Sequence, residues 1–318
     1  MSELNIGKAP PAATTVIFGE ALVDDFVTEQ LVGGAPFNVA RHLAAFMAPH
    51  LMITRIGSDR NGAVVRGEFE RFAMSEQGLQ IDAMEETGRV LVERRGNGHR
   101  FVILPRQAYD FIDPQLALAA MGAVTPSTLY FGTLAQRAQR SREALRTLLA
   151  ATGASRFLDL NLRENQVDRA CVSASLDAAD IVKLNEEELE SLFQWYFQIA
   201  PGTPLASEEV RAACRALLDK FQLEGLILTL GHRGSVYFGA DGQLIVHRDN
   251  PAPPFVIDTV GAGDAFAAMF LLGRARGWAL ETTLSRANEF AGAICAVSGG
   301  VPRDIGFYDK WVSRWKAG

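Results

Sequence analysis

The chain has 318 residues, 48% of them hydrophobic and 21% charged, so it can bury a large core and is too apolar for disorder. Its net charge of −6, with basic residues scattered along the chain, gives no electrostatic footprint for nucleic acid, and no uncharged apolar run is long enough to span a membrane. The start, MSELNIGKAPPAATT, lacks the regions of a signal peptide, which predicts a cytoplasmic protein, while Cys171, Cys214 and Cys295 and five scattered histidines suggest neither a disulfide framework nor a zinc site.

Taken in chain order, TVIFGEALV from Thr15 reads as a buried strand and DDFVTEQLV after it as a second, strand-like stretch. PFNVARHLAAFM has the apolar spacing of a helix, LMITRIG is a strand, and RNGAVVRGEFERFA is again helical. The rhythm breaks at Thr87 to Leu104, where two alternating runs flank Gly96-Asn97-Gly98 and predict an antiparallel hairpin. With DDFVTEQLV it is expected to form a small sheet standing off the main one, a lid made of about 24–33 and 87–105; the alternative is an edge hairpin of the main sheet. The strands TLYFG, SRFLDLN, ADIVKLN and GLILTLG then alternate with the helical stretches SREALRTLLAAT and SEEVRAACRALLDKF, and WYFQIAPGTPLAS reads as a loop. This alternation predicts an α/β fold, a largely parallel central sheet with helices on both faces, in a single domain over 1–318, with ligands at the carboxyl ends of the strands.

The segment DTVGAGDAFAAMFLLG, Asp258 to Gly273, places two glycines and two aspartates in front of an apolar helix. Gly261 and Gly263 let the backbone turn and keep side chains out of a ligand's way. The unpaired N–H groups of a helix opening near Ala262 suit a phosphate, and Asp264 in its first turn can then accept a hydroxyl proton as the hydroxyl attacks phosphorus. The plainer alternative is that Asp258 and Thr259 cap the helix and Asp264 complements its dipole. Neither a GxxxxGKS/T loop nor a dinucleotide fingerprint is present, since Phe266 stands where the latter needs a small residue.

With DTVGAGDAF and GGAPFNVARHLAAF at its two ends, and GEALVDDF, IGSDRNG, DLNLR, KLNEEEL and TLGHRG in order between them, the chain resembles the ribokinase-like (PfkB) carbohydrate kinases over nearly its whole length. The resemblance implies ATP-dependent phosphoryl transfer to a primary hydroxyl of a small sugar, with Asp264 as base and the Gly261, Ala262 and Gly263 amides on the moving phosphoryl group. Gly33, Gly34 and Asn38 fall on the sugar-binding segment, with either Asp24 or Asp25 as the carboxylate for sugar hydroxyls. Asn185 and Glu188 resemble the NxxE element that holds water around the Mg²⁺ of MgATP, against the simpler reading of a charged helix start. Thr229, Gly231 and Gly234 resemble the nucleotide segment, Asn288 lies where the family has a residue near the adenine, and Arg163 faces either phosphates or an acidic substrate. The family's monovalent-cation (K⁺) ligands would fall on Asp258 and carbonyls near Ser298 and Gly300, an inference weakened by DTV standing where many relatives have DTT.

Among members of the family the motifs are most similar to those of fructokinases, which implies fructose as acceptor. A ketodeoxygluconate kinase comes next, its substrate carboxylate met by Arg163 and the lid residues Arg94, Arg95, Arg100 and Arg106, and a nucleoside kinase after that. A reading of another class is a non-catalytic sugar-binding regulator on the same fold. Pairing of the lid's exposed apolar face between subunits would make a homodimer.

Overall fold

The computed structural model describes residues 13–25, 30–95, 98–199, 207–248 and 255–316, with backbone only over 92–95 and 98–101. Its strands are β1 (Ala13–Phe18), β2 (Leu22–Asp25), β3 (Gln30–Gly33), β4 (His50–Gly57), β5 (Leu79–Asp82), β6 (Gly88–Arg95), β7 (Gly98–Ile103), β8 (Thr125–Phe131), β9 (Ser155–Asp159), β10 (Ile181–Asn185), β11 (Gly225–Thr229), β12 (Ser235–Gly239) and β13 (Leu244–His247). The helices are α1 (Ala35–Ala45), α2 (Arg60–Arg71), α3 (Pro114–Met121), α4 (Gln139–Ala151), α5 (Arg169–Asp177), α6 (Glu186–Tyr196), α7 (Glu208–Phe221), α8 (Ala262–Arg276), α9 (Leu280–Ile294) and α10 (Asp309–Trp315).

A nine-stranded sheet runs in the order β13-β12-β11-β10-β9-β8-β1-β4-β5, parallel from β11 through β5 and antiparallel only at β11–β12 and β12–β13. Its strands read as unbroken apolar runs because both faces are covered: in β1, Val16 and Phe18 enter one core while Ile17 enters the other. Helices α3 to α7 supply the first core, and α1, α2, α8, α9 and α10 the second. Helix α8 is buried from Asp264 through Gly273, which is why its sequence is apolar all round.

The second sheet has the order β3-β2-β6-β7, so the hairpin β6–β7 pairs with β2 and is not an edge of the large sheet. Here TVIFGEALV divides, against the reading of one continuous strand. After Phe18 the chain turns at Gly19, at φ 152, where a Cβ would meet the Pro36 ring at 2.4 Å, and it re-enters as β2 of the small sheet. Asp59 fastens the two sheets, capping α2 through Gly62 N–H at 2.7 Å while accepting Thr87 N–H at 2.7 Å just before β6. The predicted loop after α6 falls largely on 200–206, outside the described residues. The three cysteines are free thiols, and among the described residues no helix is long and apolar enough to cross a membrane.

Candidate active site

A cavity of about 760 Å³ opens at the carboxyl ends of the central strands, where Glu20 follows β1, Asp159 ends β9, Lys183 and Asn185 end β10, and Thr229 ends β11. The small sheet roofs it with one face. Leu22 and Asp24 of β2, Val90 of β6 and Ile103 of β7 all turn inward, and Val90 lies directly opposite Ile103. Of the residues singled out from sequence, Asp24, Gly34, Asn38, Arg163, Asn185, Glu188, Thr229, Gly231, Gly234, Gly261, Ala262, Gly263, Asp264 and Asn288 line this one space.

The start of α8 forms the floor. Its N-cap is Gly261, at φ 78, and no side chain caps it, so the reading of Asp258 and Thr259 as caps does not hold: Asp258 instead accepts from Val260 N–H at 3.0 Å. Gly261 is required by its neighbour as well as by its φ, since a Cβ there would lie 2.2 Å from Gly300 Cα. At Gly263 a Cβ would instead point at Lys183 Nζ, 3.2 Å away, on the cavity side. Asp264 Oδ2 accepts from Asn38 Nδ2 at 2.7 Å. Burial, reinforced by the Asp159 carboxylate, pushes the Asp264 carboxyl up to about 6, against the Asn38 hydrogen bond and the charges of Lys183 and Arg163. A carboxylate so placed is ionised at neutral pH and still basic enough to take a proton.

Geometry separates the aspartate doublet. Successive strand residues face opposite ways, and Asp24 lines the cavity with its carboxyl pushed up to about 6 by burial, while Asp25 turns away to an ion pair with Arg89. Gly33 does not line the cavity. It sits beneath Asp24, where a Cβ would come within 2.5 Å of Oδ2, so it makes room for that carboxylate. Gly34, at φ 100, opens α1 against the Glu20 carbonyl, which a Cβ would approach to 2.5 Å.

At the other end, Asn185 and Glu188 close a capping box: Asn185 Oδ1 accepts Glu188 N–H and Glu188 Oε2 accepts Asn185 N–H, both at 2.9 Å. Glu188 Oε1 also accepts Leu162 N–H at 2.8 Å. The motif is thus both a helix start and a cavity wall. Asn288 is buried, donating from Nδ2 to Ser235 Oγ at 2.7 Å and to the Leu284 carbonyl at 2.8 Å. Arg163 is exposed at the rim, and its charge acts on Glu20, Asp24 and Asp264; among the described residues it has no ion pair. Arg106 pairs with Glu85 outside the cavity, so it is no cation of the pocket, and the Arg94, Arg95 and Arg100 side chains lie outside the described residues. Gly300 O is within 3.1 Å of His42 Nε2, so the inferred cation carbonyl already has a polar neighbour.

Sequence reasoning missed Glu20, Asp159 and Lys183. The last two form a buried ion pair at 2.8 Å, which Tyr130 OH joins by donating to Asp159 Oδ2 at 3.1 Å. Burial pushes Glu20 up to about 7, against the N–H groups of Glu20 itself and Ala35 and the charge of Arg163. All three are polar residues at the carboxyl end of a buried strand, which was the available signal.

The family model described as "pfkB family carbohydrate kinase" matches residues 12–303. A fructokinase of Klebsiella pneumoniae is 31% identical over 277 residues, covering 81% of this chain and 83% of the relative. Among solved structures, a Vibrio cholerae O395 fructokinase double mutant with fructose, ADP and potassium ion bound matches with TM-score 0.73 and 24% identity over 92% of this chain and 95% of that one. A 2-dehydro-3-deoxygluconokinase of Thermotoga maritima matches with TM-score 0.77 and 17% identity over 95% of this chain and 99% of that one.

Proposed function

The chain belongs to the pfkB family of carbohydrate kinases, and we propose that this sugar kinase transfers the γ-phosphoryl group of ATP to a primary hydroxyl of fructose. The observation that carries the reading is the uncapped start of α8 with buried Asp264 in its first turn, both facing the cavity roofed by the small sheet. Sugar lies between Asp24 and Asn38, under Leu22, Val90 and Ile103, with one hydroxyl against Asp264. As the new O–P bond forms, the hydroxyl proton passes to Asp264, the bond to the leaving ADP oxygen breaks, and the Gly261 and Gly263 amides meet the charge on the phosphoryl oxygens, the Ala262 N–H being engaged by the Thr259 carbonyl at 3.3 Å. Closure of the small sheet over bound sugar keeps water from competing as nucleophile.

The residues present fit a nucleotide that brings its own metal. Among the described residues no three His, Cys, Asp or Glu side chains come together to hold an ion unaided, and the wall offers oxygen atoms from Asn185 and Glu188. Magnesium bound with ATP would neutralise phosphate charge there. Gly231, at φ 59, lies in a turn where a Cβ would meet nothing within 4 Å, leaving space beside Thr229 for the nucleotide.

A second reading, an acidic sugar such as ketodeoxygluconate, is favoured by Arg163, a cation at the rim with no ion pair among the described residues. The test is ADP release with MgATP and a panel of fructose, ketodeoxygluconate and ribose. Fastest turnover of fructose supports the leading reading, preference for ketodeoxygluconate replaces it by the second, and no acceleration by any member contradicts both.

A further inference from the structure

Helix α1 carries a fully buried guanidinium that no step above uses. Arg41 is 2% exposed, its Cζ lying 4.9 Å from the centre of the Phe37 ring. Its Nη1 donates to Glu68 Oε2 at 2.7 Å, and its Nη2 donates both to the Val32 carbonyl of β3 at 2.7 Å and to Asn38 Oδ1 at 2.5 Å. Glu68 is held independently by Arg71, at 2.8 and 2.6 Å.

A guanidinium only donates, so the Asn38 atom that faces it must be the oxygen. The amide NH₂ is thereby turned to Asp264, which it reaches at 2.7 Å. We propose that Arg41 is a positioning residue for phosphoryl transfer: it locks the Asn38 amide in the one orientation that donates to Asp264, and ties that orientation to the roof through Val32. The proposal rests on the reading of Asp264 as base.

The consequence is a bias in proton affinity. An amide N–H supports the ionised carboxylate, whereas a freed Asn38 can rotate and offer its oxygen to the protonated acid. The lock therefore opposes the burial and the Asp159 charge that favour protonation. Other charged or titratable groups facing Asp264 are Lys183 on β10, Arg163 after β9, Glu20 after β1, Asp24 on β2 and Tyr130 on β8; Arg41 itself is faced by Glu68, Arg71, His42, Tyr308 and Asp24. None of these sets the direction of the Asn38 amide.

The test compares wild type, Arg41→Met and Arg41→Lys by the pH dependence of kcat/KM, using MgATP and whichever sugar the panel shows to turn over, with thermal melts as the control for folding. In parallel, the Asp264 ¹³Cγ resonance, assigned through Asp264→Asn, is titrated without substrate. Arg41→Met should move the acid limb and the ¹³Cγ midpoint up by about one pH unit, a tenfold loss on the acid side, with the alkaline plateau within about threefold. Arg41→Lys keeps the charge but not the fork, and should shift both in the same direction by less. Unmoved midpoints in folded variants, or a uniform fall at every pH, overturn the proposal; if Arg41→Met does not fold, Arg41→Lys alone decides by the same criterion. Full activity of Asp264→Asn would instead overturn the base assignment, an outcome separate from either.

Discussion

Two helices open onto the same cavity and differ in how they begin. Helix α6 starts with a closed capping box, Asn185 and Glu188 exchanging hydrogen bonds, whereas α8 starts at Gly261 with no side chain on its amides and its one acid, Asp264, drawn aside to Asn38. A closed start has engaged two of its N–H groups and presents a carboxylate. An open start presents N–H groups and the positive end of a dipole to an anion. Under the proposed function, the contrast suits α8 to phosphoryl stabilisation and α6 to the charged wall near the nucleotide.

The strongest attack on this contrast is Asp264→Asn, which leaves the open start intact and removes only the base. It should lower kcat by about 10³-fold while sugar affinity, measured by calorimetry, stays within about threefold. Next come the two glycines at the start of α8, the N-cap Gly261 and Gly263. Gly261→Ala puts a side chain at φ 78 and against Gly300, and should cost about 3 kcal/mol in a urea melt. Gly263→Ala, inside the helix, should keep or slightly raise the melting temperature yet lower kcat/KM about tenfold, because its methyl enters the space beside Lys183. Equal loss of stability in both would show that neither glycine serves a ligand.

At α6, Glu188→Ala should cost about 1 kcal/mol by opening the capping box, while Glu188→Gln keeps the reciprocal bond. A raised KM for ATP in both variants, with stability lost only in the first, separates the wall from the cap. The smallest effect concerns Glu20. Burial raises its folded pKa to about 7 from an ordinary 4.5, so its contribution to stability is complete below pH 4.5 and is lost as pH rises through 7. Glu20→Gln escapes that loss, and its stability relative to wild type should grow by about 2 kcal/mol between pH 5 and pH 8 in chemical denaturation.

Sequence made the fold class and the α8 start legible because both are local: apolar runs alternating with helical spacing, and GAGD before a buried helix. It could not choose between Asp24 and Asp25, since adjacent strand residues take opposite faces and nothing in DDFVTEQLV says which face turns inward. The division of TVIFGEALV was hidden because a single glycine carries the turn between two sheets. Arg41, Asn38 and Asp264 form one hydrogen-bonded chain, yet Asn38 and Asp264 lie 226 positions apart, and no pattern within α1 distinguishes Arg41 from a surface arginine. Asp159 and Lys183 likewise meet only because β9 and β10 are neighbours in the sheet.

The central claim is that the open start of α8 holds the moving phosphoryl group while Asp264 takes the proton. A crystal structure with fructose, ADP, magnesium and aluminium fluoride tests it most directly. The account predicts the planar fluoride within about 3 Å of the Gly263 amide and a sugar hydroxyl within about 3 Å of an Asp264 oxygen. Fluoride bound away from the α8 amides, or Asp264 without contact to the sugar, would contradict it.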